Sequence, residues 1–106
     1  MTNFICTPSQ SVNGSIRVPG DKSMSHRSIM LSSIAEGTSE ITGFLHGEDS
    51  LNTLKAFQAM GVKIEQTETK IVVQGVGMHG LAAPGVELDM GNSGTAMRLL
   101  VGLLCG

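Results

Sequence analysis

Ser15-Ile16-Arg17-Val18-Pro19-Gly20-Asp21-Lys22-Ser23-Met24-Ser25-His26-Arg27 is the stretch on which the fold turns. Residues 15–18 alternate polar and apolar, the period of a strand. Pro19-Gly20 breaks that pattern, and Asp21 can cap a helix over 22–36. Within it Met30, Leu31 and Ile34 share an apolar side, and Gly37 supplies the stop. A strand that hands the chain through a glycine turn to a polar helix start is the opening of a βα unit.

Working outward, Ile41, Thr42 and Phe44 suit a strand over 38–44, and His46-Gly47 a turn. Glu48 and Asp49 then place acids where a helix dipole favours them. Leu51, Leu54 and Phe57 recur at three-residue spacing until Gly61. Residues 62–65 and 70–73 read as a hairpin across 66–69. The glycine-rich run 75–85 reads as loop. Residues 86–90 alternate as a short strand, and 92–94 open a last helix with Leu99, Leu100, Leu103 and Leu104 as its apolar stripe. That helix is apolar nearly all round and should be buried on most sides. The predicted class is α/β (α+β): a βαβαββ unit and the start of a second, with crossovers that favour parallel neighbours.

The bulk properties narrow the chemistry. The chain has 106 residues, 41% hydrophobic and 15% charged, enough for one domain with a real core. With three Phe, no Tyr and no Trp, that core is aliphatic. The net charge of −2 provides no global field for nucleic acid or an anionic membrane, so anion recognition must be local. No basic leader and no long apolar window is present, and Cys6 and Cys105 read as reduced small hydrophobes; a cytoplasmic location is expected. The ending Leu103-Leu104-Cys105-Gly106 is expected to be a cut within a longer chain.

Local anion recognition has two candidates. In the first, Ser23 and Arg27 stand one helical turn apart, and Lys22 sits beside the first turn. An ammonium, a hydroxyl, a guanidinium and free backbone N–H groups can converge there on a phosphate or carboxylate. Cations at a helix start run against the dipole, which points to a ligand; a solvated, Asp21-capped start is the alternative. The second is Gly91-Asn92-Ser93-Gly94-Thr95-Ala96-Met97-Arg98, where Gly94 and Thr95 allow close approach of an anion to the backbone. Its alternative is a capped helix with Arg98 paired to Glu87 or Asp89. His26, His46 and His79 have no metal-ligand spacing and read as structural or solvated, and Asp49 as a cap.

Pro19-Gly20-Asp21-Lys22-Ser23-Met24-Ser25-His26-Arg27 resembles the N-terminal signature of the 5-enolpyruvylshikimate-3-phosphate synthase family, and Gly91 to Arg98 its second signature. Gly47-Glu48-Asp49 and Ala59-Met60-Gly61-Val62 between them fit as well. The resemblance spans about residues 14–106. It implies transfer of the enolpyruvyl group of phosphoenolpyruvate to the 5-hydroxyl of shikimate 3-phosphate, on the route to chorismate and the aromatic amino acids. By resemblance Lys22, Ser23 and Arg27 hold shikimate 3-phosphate; Lys22 also reaches phosphoenolpyruvate and is the catalytic candidate; Asn92, Gly94 and Thr95 hold phosphoenolpyruvate. Glyphosate occupies that second region in the family, and Gly94 is the small residue associated with sensitivity, so inhibition of the parent enzyme is expected. Leu99 departs from the Pro that many members carry there.

The resemblance further implies no metal and no organic cofactor, no nucleic-acid or membrane partner, and a two-lobed parent that is a monomer. Residues 1–13 would belong to the far lobe and 14–106 to part of the near lobe. The 106-residue chain alone is expected to be inactive, and its open edges and apolar last helix to favour self-association. The alternatives are a UDP-N-acetylglucosamine enolpyruvyl transferase relative, which carries different residues after the Lys, and a non-catalytic anion-binding or assembly fragment.

Overall fold

In the computed structural model, which describes residues 2–106, Asp21 ends an extended N-terminal stretch and caps the first helix: its Oδ2 accepts the Met24 N–H at 2.8 Å. The order is α1 (Lys22–Ile34), β1 (Glu36–Thr42), α2 (Glu48–Ala59), β2 (Lys63–Gln66), β3 (Lys70–Val76) and α3 (Gly94–Leu104). The three strands form one sheet in the order β1-β3-β2, with both ladders antiparallel. The α2 crossover does join strands of like direction, but β3 inserts between them. The expected parallel neighbours are therefore not formed.

β3 is the centre of the core. Ile71 and Val73 are fully buried and face the helices, opposite Ile41 of β1 and Ile64 of β2 in register. α1 and α2 pack on each other and on the sheet, contributing Ile29, Met30, Leu54 and Phe57. Gly75 is required by this packing: a Cβ there would collide with the carbonyls of Ser32 and Ala35 at the end of α1. That close approach also explains why β3 runs to Val76, into the stretch expected to be loop, and why α1 stops at Ile34. Glu36 and Gly37 pair with Val76 and Gly75, so strand pairing ends the helix before Gly37 is reached.

Two expected strands do not form. Residues 15–18 and 86–90 lie outside the sheet, with Ile16, Val18 and Val86 exposed. Alternation supplies the right faces but not a ladder partner, and an unpaired strand leaves its N–H and C=O groups to water. The mixed α/β class holds, built as αβαββ followed by α3. Residues 2–13 are exposed and without regular structure; Met1, the first residue of the expected far-lobe segment, lies outside the described residues.

The buried helix faces also differ from expectation. On α1 the buried set is Ser25, His26, Ile29, Met30 and Ser33, while Leu31 faces out. On α3 it is Ala96 and Leu100, with Leu103 partly covered, while Leu99 and Leu104 are exposed. Cys6 and Cys105 are free and exposed rather than packed. No described helix is long and apolar enough to cross a membrane.

Removing the Phe57 ring from the centre of this core should cost about 3–5 kcal/mol, whereas Leu104→Ala should stay within about 0.5 kcal/mol. Urea denaturation of the two variants checks the contrast; equal losses would contradict the core as described.

Candidate functional site

The two glycine-rich helix starts are brought to one place by α2. Lys22, the first residue of α1, places its Nζ 2.5 Å from Asp49 Oδ2 in the first turn of α2. Asp49 is thus a counter-ion and not a cap; Gly47 holds the cap position. The Lys22 hydrogen bond, its charge and the Asn92 backbone hold the Asp49 carboxyl below its ordinary range. An ion pair this open to water adds little stability. Its effect is placement: it points the ammonium along a cleft of about 390 Å³ whose walls include Lys22, Leu45, Asp49, Ser50 and Asn92. Ser50 Oγ is buried there with no hydrogen-bond partner among the described residues.

Asn92 reaches this cleft through a tight turn. Gly91 has φ +59°, and a Cβ on it would press on Asn52 Nδ2, so the turn can lie against α2 only with glycine. Asp89 Oδ1 accepts the Gly91 N–H at 2.8 Å. Asp89 is therefore used within the turn, and among the described residues Arg98 forms no ion pair with it or with Glu87. The Arg98 guanidinium instead folds back over Gly94, where a Cβ would lie 3.2 Å from one of its nitrogens. Gly94 and Thr95 open α3 exposed, beneath that cation.

On α1, Ser23 is half-buried and Arg27 exposed. Arg27 is not on the Lys22 cleft; it lines an apolar groove with Met30, Leu31, Ile34, Leu99 and Leu103, between α1 and α3. Ser25 fixes the helix start from behind. Its hydroxyl donates to the Asp21 carbonyl at 2.7 Å and accepts the Leu45 N–H at 3.0 Å. Lys22 and Asn92 therefore share one cleft, Gly94 and Thr95 lie at the adjoining helix start with Arg98, and Arg27 stands one turn along.

His26 is fully buried between the two motifs. Its Nδ1 lies 2.8 Å from Thr53 Oγ1 on α2, and its Nε2 3.5 Å from Ser93 Oγ, the cap of α3. Burial, then the Lys22 ammonium, lowers its pKa against a smaller opposing effect of Asp49. His26 is structural, as its lack of metal-ligand spacing suggested. Its partners are not legible in the sequence; the available signal is Thr53 one turn after Asp49, a hydroxyl that shares the buried face of α2 with Ser50, Leu54, Ala56 and Phe57. His46 is exposed, edge-on to Phe44 and 3.1 Å from Gln66 Nε2.

A family model described as EPSP synthase (3-phosphoshikimate 1-carboxyvinyltransferase) matches residues 6–106. A 3-phosphoshikimate 1-carboxyvinyltransferase of Hydrogenovibrio crunogenus is 62% identical over 104 residues, 97% of this chain and 23% of the relative. One of Citrifermentans bemidjiense is 58% identical over 106 residues, all of this chain and 25% of the relative. The solved EPSP synthase from Acinetobacter baumannii superposes with a TM-score of 0.81 at 62% identity, covering 86% of this chain and 21% of that one. The chain spans about a quarter of the length of the curated relatives it matches.

The lowered His26 pKa gives stability a pH dependence of known sign. Above its ordinary value of 6.5 the imidazole is neutral folded and unfolded; below it the unfolded chain takes up the proton more readily, and stability falls. Asp49 adds a second loss at lower pH, as the acid protonates it below its ordinary 3.8. Urea midpoints should be level above pH 7 and decline from about 6.5 downward, with His26→Asn removing the first decline. A level curve down to pH 5 would contradict this. Separately, Ser93→Ala should cost about 1 kcal/mol through the lost cap.

Proposed function

The chain belongs to the EPSP synthase family, and from that premise we propose that it forms one wall of a site that transfers enolpyruvyl from phosphoenolpyruvate to the 5-hydroxyl of shikimate 3-phosphate. The observation that carries the reading is the convergence of two cation-bearing helix starts, with Lys22 and Asn92 on one cleft. Both substrates are multiply anionic, and helix N-termini backed by Lys and Arg suit them. Ser23 and Arg27 grip shikimate 3-phosphate. Gly94, Thr95 and Asn92 seat phosphoenolpyruvate, with Arg98 over Gly94 as a further cation. Lys22 lies between the two and serves both.

The chemistry follows from that placement. The 5-hydroxyl of the acceptor gives up its proton and its oxygen bonds to C2 of phosphoenolpyruvate, while the methylene carbon of phosphoenolpyruvate takes up one proton, so the addition is proton-neutral. The tetrahedral intermediate then loses phosphate and a methyl proton, restoring the double bond. Negative charge moves onto the departing phosphate, and fixed cations and N–H groups aimed at it lower the barrier. The Lys22 ammonium is held in reach by Asp49 and exchanges that partner for substrate oxygens. The steps use only the substrates and side chains, with no cofactor. The reaction belongs to chorismate formation in the cytoplasm. Residues 1–13 belong to the far lobe and 14–106 to the near lobe of a longer enzyme, and this chain alone has no turnover.

Phosphate release that depends on both substrates, measured on the full-length protein carrying this sequence, tests the reading; activity only with UDP-N-acetylglucosamine as acceptor, or none, would overturn it. Lys22→Met should lower kcat by about 100-fold or more. Gly94→Ala pushes a methyl against the Arg98 guanidinium and should raise the KM for phosphoenolpyruvate several-fold and weaken inhibition by glyphosate, with little change for shikimate 3-phosphate.

A further inference from the structure

One buried polar chain runs from the Lys22 counter-ion to the cap of α3. The Ala96 N–H donates to Ser93 Oγ at 3.1 Å, and the Ser93 hydroxyl faces His26 Nε2 at 3.5 Å. His26 Nδ1 lies 2.8 Å from Thr53 Oγ1, and the Thr53 hydroxyl donates to the Asp49 carbonyl at 3.3 Å. Matching donors to acceptors gives one consistent direction: Ser93 O–H to Nε2, and Nδ1–H to Thr53. That arrangement needs a neutral imidazole with its proton on Nδ1. The charged groups facing it are Lys22 and Asp49.

We propose that His26 is a positioning residue that fixes the distance and tilt between the two substrate seats. It rests on the reading of α1 and α3 as those seats. His26 does not line the cleft, so it touches neither substrate and acts through others: through Thr53 on the α2 turn that carries Asp49, and through Ser93 on the helix start that carries Gly94 and Thr95. The Thr53 bond is the shorter and carries more of the constraint. An imidazole suits the role because its two nitrogens point to opposite sides, one donating and one accepting. An aliphatic residue would fill the space, but Thr53 Oγ1 would lose its donor and the Ser93 O–H its acceptor, each keeping only its backbone bond, and the helix starts would be free to shift. Joining two substrates requires both seats in register, so a small shift lowers the rate of joining more than the binding of either partner.

The test uses the full-length enzyme carrying this sequence. Thr53→Val keeps the volume and removes the hydroxyl; it should lower kcat per folded molecule about tenfold while the dissociation constant for shikimate 3-phosphate alone changes less than about threefold. His26→Leu should show the same split, and His26→Asn, which retains a neutral donor and acceptor toward Thr53, should recover kcat to within about threefold of the parent. If His26→Leu fails to fold, Thr53→Val decides. Wild-type kcat in Thr53→Val, with only a lower unfolding temperature, would reduce His26 to packing and overturn the proposal. A parent protein with no enolpyruvyl transfer would instead bring down the functional reading on which it rests.

Discussion

A histidine with no exposed surface ties the start of α1, the first turns of α2 and the cap of α3 into one unit. The placement of the candidate site depends on that contact. α3 follows a long irregular segment and has no sheet strand beside it in the chain to fix its rotation. Its cap on Ser93, held against His26, and the stripe of Ala96 and Leu100 against the core supply that orientation. The same imidazole bonds to Thr53, one turn beyond Asp49, and Asp49 holds Lys22. A buried polar network of this kind is stable only when every member is matched, and matched it permits one arrangement of the elements.

The electrostatics are local throughout. A chain with a net charge of −2 concentrates Lys22, Arg27 and Arg98 around two helix starts, where backbone N–H groups already favour anions. Among these cations only Lys22 has a carboxylate partner among the described residues, and that partner sits on a neighbouring helix start. Such a pair holds an ammonium in place without neutralising the site, because water still reaches it and a phosphate can compete for it. The cluster stands out because it runs against the ordinary preference for acids at helix starts, while α2, which carries Glu48 and Asp49, obeys that preference alongside.

The sequence makes an element legible where its cause is local. The Asp21 cap, the Gly61 stop, the hairpin of β2 and β3 and the onset of α3 at Ser93-Gly94 all follow from residues within a few positions. What depended on distant partners was not legible. Residues 15–18 and 86–90 alternate like strands but pair with neither edge of the sheet, and β3 lies between two strands that a crossover would otherwise make neighbours. The buried faces of α1 and α3 are not legible in the sequence because apolar residues exceed what the core covers: Leu31, Leu99 and Leu104 are as apolar as Met30 and Leu100 yet exposed, and Ile29 is buried without having stood out from the pattern. Of the residues carried over from the family signatures, Lys22, Ser23, Gly94 and Thr95 lie in the first turns of α1 and α3, Asn92 just before the α3 cap and Arg27 a turn further along α1, while Asp49, Thr53 and Ser93 come together only when α2 and α3 meet around His26.

Nitrogen-15 NMR of the His26 imidazole measures this centre directly. The account predicts a neutral ring at pH 7 with the proton on Nδ1, an unprotonated Nε2, and a protonation midpoint displaced below 6.5. A ring that protonates at 6.5 or above, or that carries its proton on Nε2 at neutral pH, would show that His26 does not join Thr53 to Ser93, and the two helix starts would lose the constraint that makes them one site.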